Sequence, residues 1–143
     1  MTNISKLKFY LLTFTWGLPL TLTGLIVSIV MLCIGRKPHR YGYCFYFEVG
    51  KTWGGLEFGV MFLVGKNVSN HTKNHELGHG IQNCYWGPLM PFVICIPSAI
   101  RYWYRSIRKK LGYTNKTKYD DFWAEGQASR WGTELMNKLN NTK

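Results

Sequence analysis

From Phe9 to Ile34 the chain runs 26 residues without a charged side chain, closed by Gly35-Arg36-Lys37-Pro38-His39-Arg40. About 20 apolar residues carry a helix across the hydrocarbon core of a bilayer. The run therefore predicts a single uncleaved transmembrane helix over residues 9–35, with a polar tail at 1–8. Gly17 and Pro19 would kink such a helix, which membrane helices tolerate. A cleaved leader fails on length, and on the lack of a small-x-small cleavage site before the basic cluster. Arg36, Lys37 and Arg40 follow the run, against two lysines before it, so the positive-inside bias places the remainder on the cytoplasmic face of a single-pass membrane protein.

A net charge of +11 in 143 residues favours nucleic acid or the anionic face of a lipid bilayer. The bases are scattered among Trp and Tyr instead of forming one stripe, and the apolar run adds its weight, so the bilayer is the preferred partner and nucleic acid is disfavoured. Cys33, Cys44, Cys84 and Cys95 show no C-x-x-C spacing, which argues against a zinc–thiolate site or a disulfide framework.

Residues 41–49 and 56–64 are short, aromatic and aliphatic runs separated by a glycine-rich stretch at 50–55, the pattern of a β-hairpin with a broad turn. Gly50-Lys51-Thr52 is not a phosphate loop, because Phe45 stands where the first glycine is needed and no helix follows. A polar loop at 66–73 leads into a helix expected over 72–84, with Asn70 or Thr72 as its cap. Residues 85–104 are apolar but short, broken by Pro88, Pro91 and Pro97 and edged by aromatic and basic residues. They read as interfacial or re-entrant. A linker at 111–119, a helix over 121–139 capped by Asp120 or Asp121, and a polar tail at 140–143 complete the chain.

Within the first of these helices lies His75-Glu76-Leu77-Gly78-His79, an H-E-x-x-H motif. Residues i and i+4 stack on one helical face, so both imidazoles can reach one metal ion. Glu76 points about a third of a turn away, where it suits a general base better than a ligand. Gly78 and Gly80 each weaken a helix by about 1 kcal/mol relative to Ala, which calls for something packed against its backbone. The third ligand is expected on the last helix. There Phe122, Ala128, Ser129, Gly132, Leu135 and Met136 form an apolar or small stripe with Glu125 in its middle, whereas Glu134 lies with Arg130 and Lys138. A carboxylate facing a core is costly unless paired or metal-bound. The site expected is His75, His79 and Glu125 around Zn2+, in an α+β zincin-like domain over 36–139. A shared ion requires the segment 85–104 to return to the side of the membrane it left.

His75-Glu76-x-x-His79 with a downstream glutamate on another helix resembles the gluzincin metallopeptidases, in which those three residues bind zinc and the motif's own Glu is the base. More closely, residues 71–79, Gly87-Pro88-Leu89, Ile96-Pro97-Ser98 and Glu125-Gly126-Gln127-Ala128 are similar to a group of small bacterial membrane-anchored H-E-x-x-H proteins. The interval of 46 residues between His79 and Glu125 is longer than in compact gluzincins. The resemblance implies peptide or protein hydrolysis with Glu76 as base, and an edge strand formed by 56–64. Tyr113, Tyr119 and His71 are the candidates to support the oxyanion. The alternative is a non-catalytic membrane-surface binding protein with a structural zinc, its fourth position filled by His71 or Asp120.

Overall fold

The structure, a computed structural model, describes residues 4–51 and 53–142. Residues 1–3 of the polar N-terminal tail, Thr52 and Lys143 of the polar C-terminal tail lie outside the described residues. The class is α+β, with five α-helices and a four-stranded mixed sheet among the described residues.

The charge-free run does not form one helix. It is divided into α1 (Lys6–Phe14) and α2 (Leu18–Cys33), bent by 89° between them. No single helix among the described residues is long and apolar enough to cross a membrane, although this bent pair meets the test together by length and composition. At 1.5 Å per residue the 16 residues of α2 span about 24 Å, short of the roughly 30 Å hydrocarbon core. The break has a chemical cause. Pro19 sits in the first turn of α2, where its missing N–H costs nothing. Thr21 Oγ1 donates to the carbonyl of Thr13 at 3.0 Å, and Asn83 Nδ2 donates to Gly17 O at 3.1 Å. The elbow is thus tied to the helix carrying the H-E-x-x-H motif.

The expected hairpin across 50–55 is also replaced. Each half is itself a hairpin: β1 (His39–Tyr41) with β2 (Cys44–Glu48), and β3 (Gly55–Phe58) with β4 (Met61–Val64). The pairs join through a parallel β2–β4 contact, giving the order β1-β2-β4-β3. Gly42 and Gly59, at φ +57° and +77°, open the two-residue turns. Positive φ at the first central residue alone is the type II′ arrangement, whose twist suits a hairpin. The longer glycine-rich stretch instead carries the chain past β4 to the sheet edge, and β3 becomes that edge.

Helix α3 (Asn70–Trp86) is the centre of the molecule, buried throughout 76–84. Its N-cap is Ser69, whose hydroxyl accepts from Thr72 N–H, not Asn70 or Thr72 as expected. Leu77, Ile81 and Cys84 enter the main core with Phe9, Tyr43 and Phe62. Residues 87–89 form a 3-10 turn and 91–95 a π-helical turn, leading into α4 (Ile96–Lys110). Pro88, Pro91 and Pro97 each fall in the first turn of one of these segments, so the prolines start elements and break none. The final helix, α5 (Trp123–Asn141), starts after a 3-10 turn at Tyr119–Asp121. Phe122 stands at its N-cap; Asp121 instead accepts from the Lys118 N–H at 2.7 Å.

Candidate metal centre

The centre exists because α3 and α5 touch at backbone distance. A Cβ at Gly78 would run into the Ala128 carbonyl, and one at Gly132 into the Asn74 carbonyl. Larger residues at either place would separate the helices and pull Glu125 away from the histidines. Around this contact, His75 Nε2 lies 2.9 Å from Glu125 Oε2, His79 Nε2 lies 3.5 Å from the same oxygen, and the two Nε2 atoms are 3.0 Å apart.

The surrounding hydrogen bonds fix where the protons are. Gln82 Nε2 donates to Ala124 O and Gln127 Oε1, both at 2.9 Å, which leaves Gln82 Oε1 to accept from His79 Nδ1–H at 2.7 Å. Ser129 Oγ spends its one proton on Asp120 Oδ2 at 3.1 Å and so accepts from His75 Nδ1–H at 2.9 Å. In their neutral forms both rings therefore turn a bare Nε2 lone pair toward a carboxylate oxygen. Lone pairs converging on one point are relieved either by a proton on an Nε2, which then donates to Glu125, or by a metal cation in its place. Burial alone would raise the Glu125 carboxyl, but hydrogen bonds from His75 and His79 outweigh it and hold the group well below the usual carboxylate range. Burial also works against charge on His79, yet Glu125 and then Glu76 and Glu57 push it up to about 9.

These residues fit a metal ion. Bonds of about 2.0–2.1 Å in a tetrahedral site place the ligand atoms about 3.3 Å apart, close to the separations found. Glu125 Oε1 is buried without a well-formed hydrogen bond, with Tyr119 and Ser98 the hydroxyl groups near the carboxylate, and a contact with a cation would satisfy it. Among the described residues, His75, His79 and Glu125 form the group able to hold an ion. Each ring's other nitrogen is held by a polar partner, the usual arrangement behind metal-binding imidazoles.

The three atoms face a cavity of about 430 Å3 that also takes in Glu57, Glu76 and Tyr119. Glu76 lies against Gly55 of the edge strand, where there is no room for a Cβ. Burial raises its carboxyl above the ordinary value, with His79 and His75 pulling the other way. Tyr119 lines the cavity with its ring 6.3 Å from that of His75. Burial first, and Glu125 and Glu76 next, raise its phenol, so it remains a proton donor.

The other expected residues lie elsewhere. His71 is 65% exposed and meets Asp120 at 3.5 Å, outside the ligand group. Asp120 acts one layer out, through Ser129, and is no fourth ligand. Tyr113 is an exposed residue beyond the end of α4, its ring over Arg108 and absent from the cavity wall. Sequence reasoning missed Gln82 and Ser129 as ring partners, and it missed Glu57. Neither oxygen of Glu57 has a well-formed hydrogen bond. Burial pushes this carboxyl up to about 8, against His79 and a weak pull from the Gly59 N–H. The signal was present: an acid between Leu56 and Phe58 in an apolar strand is as anomalous as Glu125 among small residues. Comparison of the chain with protein-family models, with curated proteins and with solved structures finds no match.

Proposed function

We propose that this chain is a membrane-anchored zinc metallopeptidase, with Glu76 as general base. The observation that carries the reading is the convergence of His75, His79 and Glu125 on one point of a cavity that is also lined by Glu76 and by Gly55, Leu56 and Glu57 of the edge strand β3. Zinc, when held by those three residues, supplies Lewis acidity and brings the pKa of a water toward neutrality. Glu76 accepts the proton as the water oxygen attacks the scissile carbonyl, then returns it to the departing amine nitrogen. Burial raises its pKa above the ordinary carboxylate value, the direction that suits a group that must take a proton and return it. Tyr119, protonated and at the cavity wall, is the donor best placed for the developing oxyanion. An extended peptide could pair along β3, which has no strand on its outer side among the described residues.

The membrane part rests on α2. Its buried stripe is Thr21, Gly24 and Ser28, while Leu22, Ile26 and Ile29 are more than half exposed. A helix that hides its small and polar residues and presents its leucines and isoleucines belongs in lipid. The basic cluster at 36–40 then favours the cytoplasmic side for the domain.

Replacing Glu76 by Gln keeps the ligands and removes the base. Hydrolysis of a fluorogenic peptide should fall by about 10²-fold or more, with zinc content unchanged. Full activity in this variant would end the peptidase reading.

A further inference from the structure

Helix α4 has no fully buried residue, and its half-buried and exposed side chains sort into strips. With 3.6 residues per turn, Ile96, Ile100, Trp103 and Ile107 fall on one strip, each 48–65% exposed. Arg101, Arg105 and Arg108 fall on a second. The third strip, with Ser98, Ala99 and Tyr102, forms a wall of the metal-centre cavity. Trp103 stands on the border, lining the cavity and belonging to the exposed apolar row.

The three arginines gather over the 114–118 loop. Arg105 donates to Thr117 O at 2.8 Å, Arg101 to Lys118 O at 3.0 Å and Arg108 to Thr114 O at 3.4 Å. Among the described residues no carboxylate pairs with any of them. Lys109 and Lys110 extend the positive charge to the end of the helix. The half-buried guanidinium groups lie across α4 from the apolar row, held on loop carbonyls with no carboxylate partner among the described residues. One face of the helix is thus apolar and edged with Trp and Tyr and the other basic, the pattern of a helix lying in an anionic membrane surface with its aliphatic side chains below the headgroups and its basic face toward the headgroup layer. The charge complementarity singles out a bilayer bearing anionic lipid.

We infer that α4 lies in the surface of an anionic bilayer, and that the metal-centre cavity opens beside it, so that the substrate is a polypeptide segment presented at the membrane surface. The lipid contact stands on α4 alone. The substrate class rests on the peptidase reading above.

The test separates the two. The full chain, with Cys33 and Cys95 replaced by Ser, is spin-labelled at Ile107→Cys or, separately, at Thr117→Cys and reconstituted into vesicles. In phosphatidylcholine vesicles containing phosphatidylglycerol, the label at 107 should meet oxygen severalfold more often than a water-soluble nickel chelate. The label at 117 should show the reverse. Omitting phosphatidylglycerol, or introducing Arg105→Gln with Arg108→Gln, should shift the 107 label toward the chelate. If the double variant loses helix by circular dichroism, the lipid comparison alone decides. A 107 label that favours the chelate in anionic vesicles overturns the inference, as would equal burial with and without phosphatidylglycerol. Hydrolysis should favour a lipid-tethered peptide severalfold over the same peptide free in solution. Equal rates, with the label buried, would overturn the substrate class and leave both the lipid contact and the peptidase reading standing.

Discussion

Between α3 and α5 the protein buries Glu76, His79, Gln82 and Glu125, whereas on α2 and α4 it exposes Leu22, Ile26, Ile29, Ile100, Trp103 and Ile107. One region hides polar and ionisable groups and the other displays apolar ones. Each reverses the arrangement expected of a water-surrounded domain. The polar region is rigidly specified, since glycines at 78 and 132 allow backbone contact and a chain of hydrogen bonds through Gln82, Ser129 and Asp120 fixes both imidazoles. The apolar region has no such partners within the chain. On the reading proposed above, each anomaly would be resolved by something outside the polypeptide, a cation in the first case and lipid in the second.

The largest effect expected is on the helix contact. Gly132→Val drives a side chain into the Asn74 carbonyl. It should cost more than about 4 kcal/mol, since a clash with backbone cannot be relieved by a rotamer change. Gly54→Ala, with nothing within 4 Å of its Cβ, should stay within about 0.5 kcal/mol. Denaturant titration in detergent compares the two.

A second pair sets core against displayed surface directly. Leu77→Ala, at a fully buried position, should cost about 2–5 kcal/mol. Ile29→Ala, 61% exposed, should cost under about 0.5 kcal/mol while weakening association with vesicles. Equal losses of stability would mean that α2 is covered by protein, and the comparison would fail.

Glu57 sharpens the polar side. Its carboxyl keeps its proton in the folded state up to about pH 8, whereas the unfolded chain loses it near pH 4.5. Between those values the folded state binds more protons, so stability falls as pH rises through the window and levels off above it. Glu57→Gln has no proton to lose and should flatten this part of the profile. A variant with the wild-type slope would show that Glu57 ionises freely.

The parts of this picture legible in the sequence are those that depend on local periodicity. The four-residue spacing of His75 and His79, and the placing of Glu125 among Ala128, Ser129 and Gly132, follow from helical geometry alone, and the structure brings all three together. A kink at Gly17 and Pro19 was legible, but not that it divides the run into two helices at 89°, because hydropathy does not register that Asn83, some 60 residues on, holds Gly17 and Thr21. The strand pairing failed for a different reason. The conspicuous glycines at 50, 54 and 55 drew the turn, while the operative ones were the isolated Gly42 and Gly59 inside the apolar runs. Tyr113 and His71 were reasonable as donors by type, but that Tyr119 lines the cavity and neither of them does is decided by tertiary packing.

The central claim is that two imidazoles and one buried carboxylate on separate helices hold a metal cation. Elemental analysis of the purified chain beside Glu76→Gln and His79→Ala tests it most directly. Stoichiometric zinc in the first two and none in the third is the predicted result. Equal metal in wild type and His79→Ala, or none in either, would contradict it.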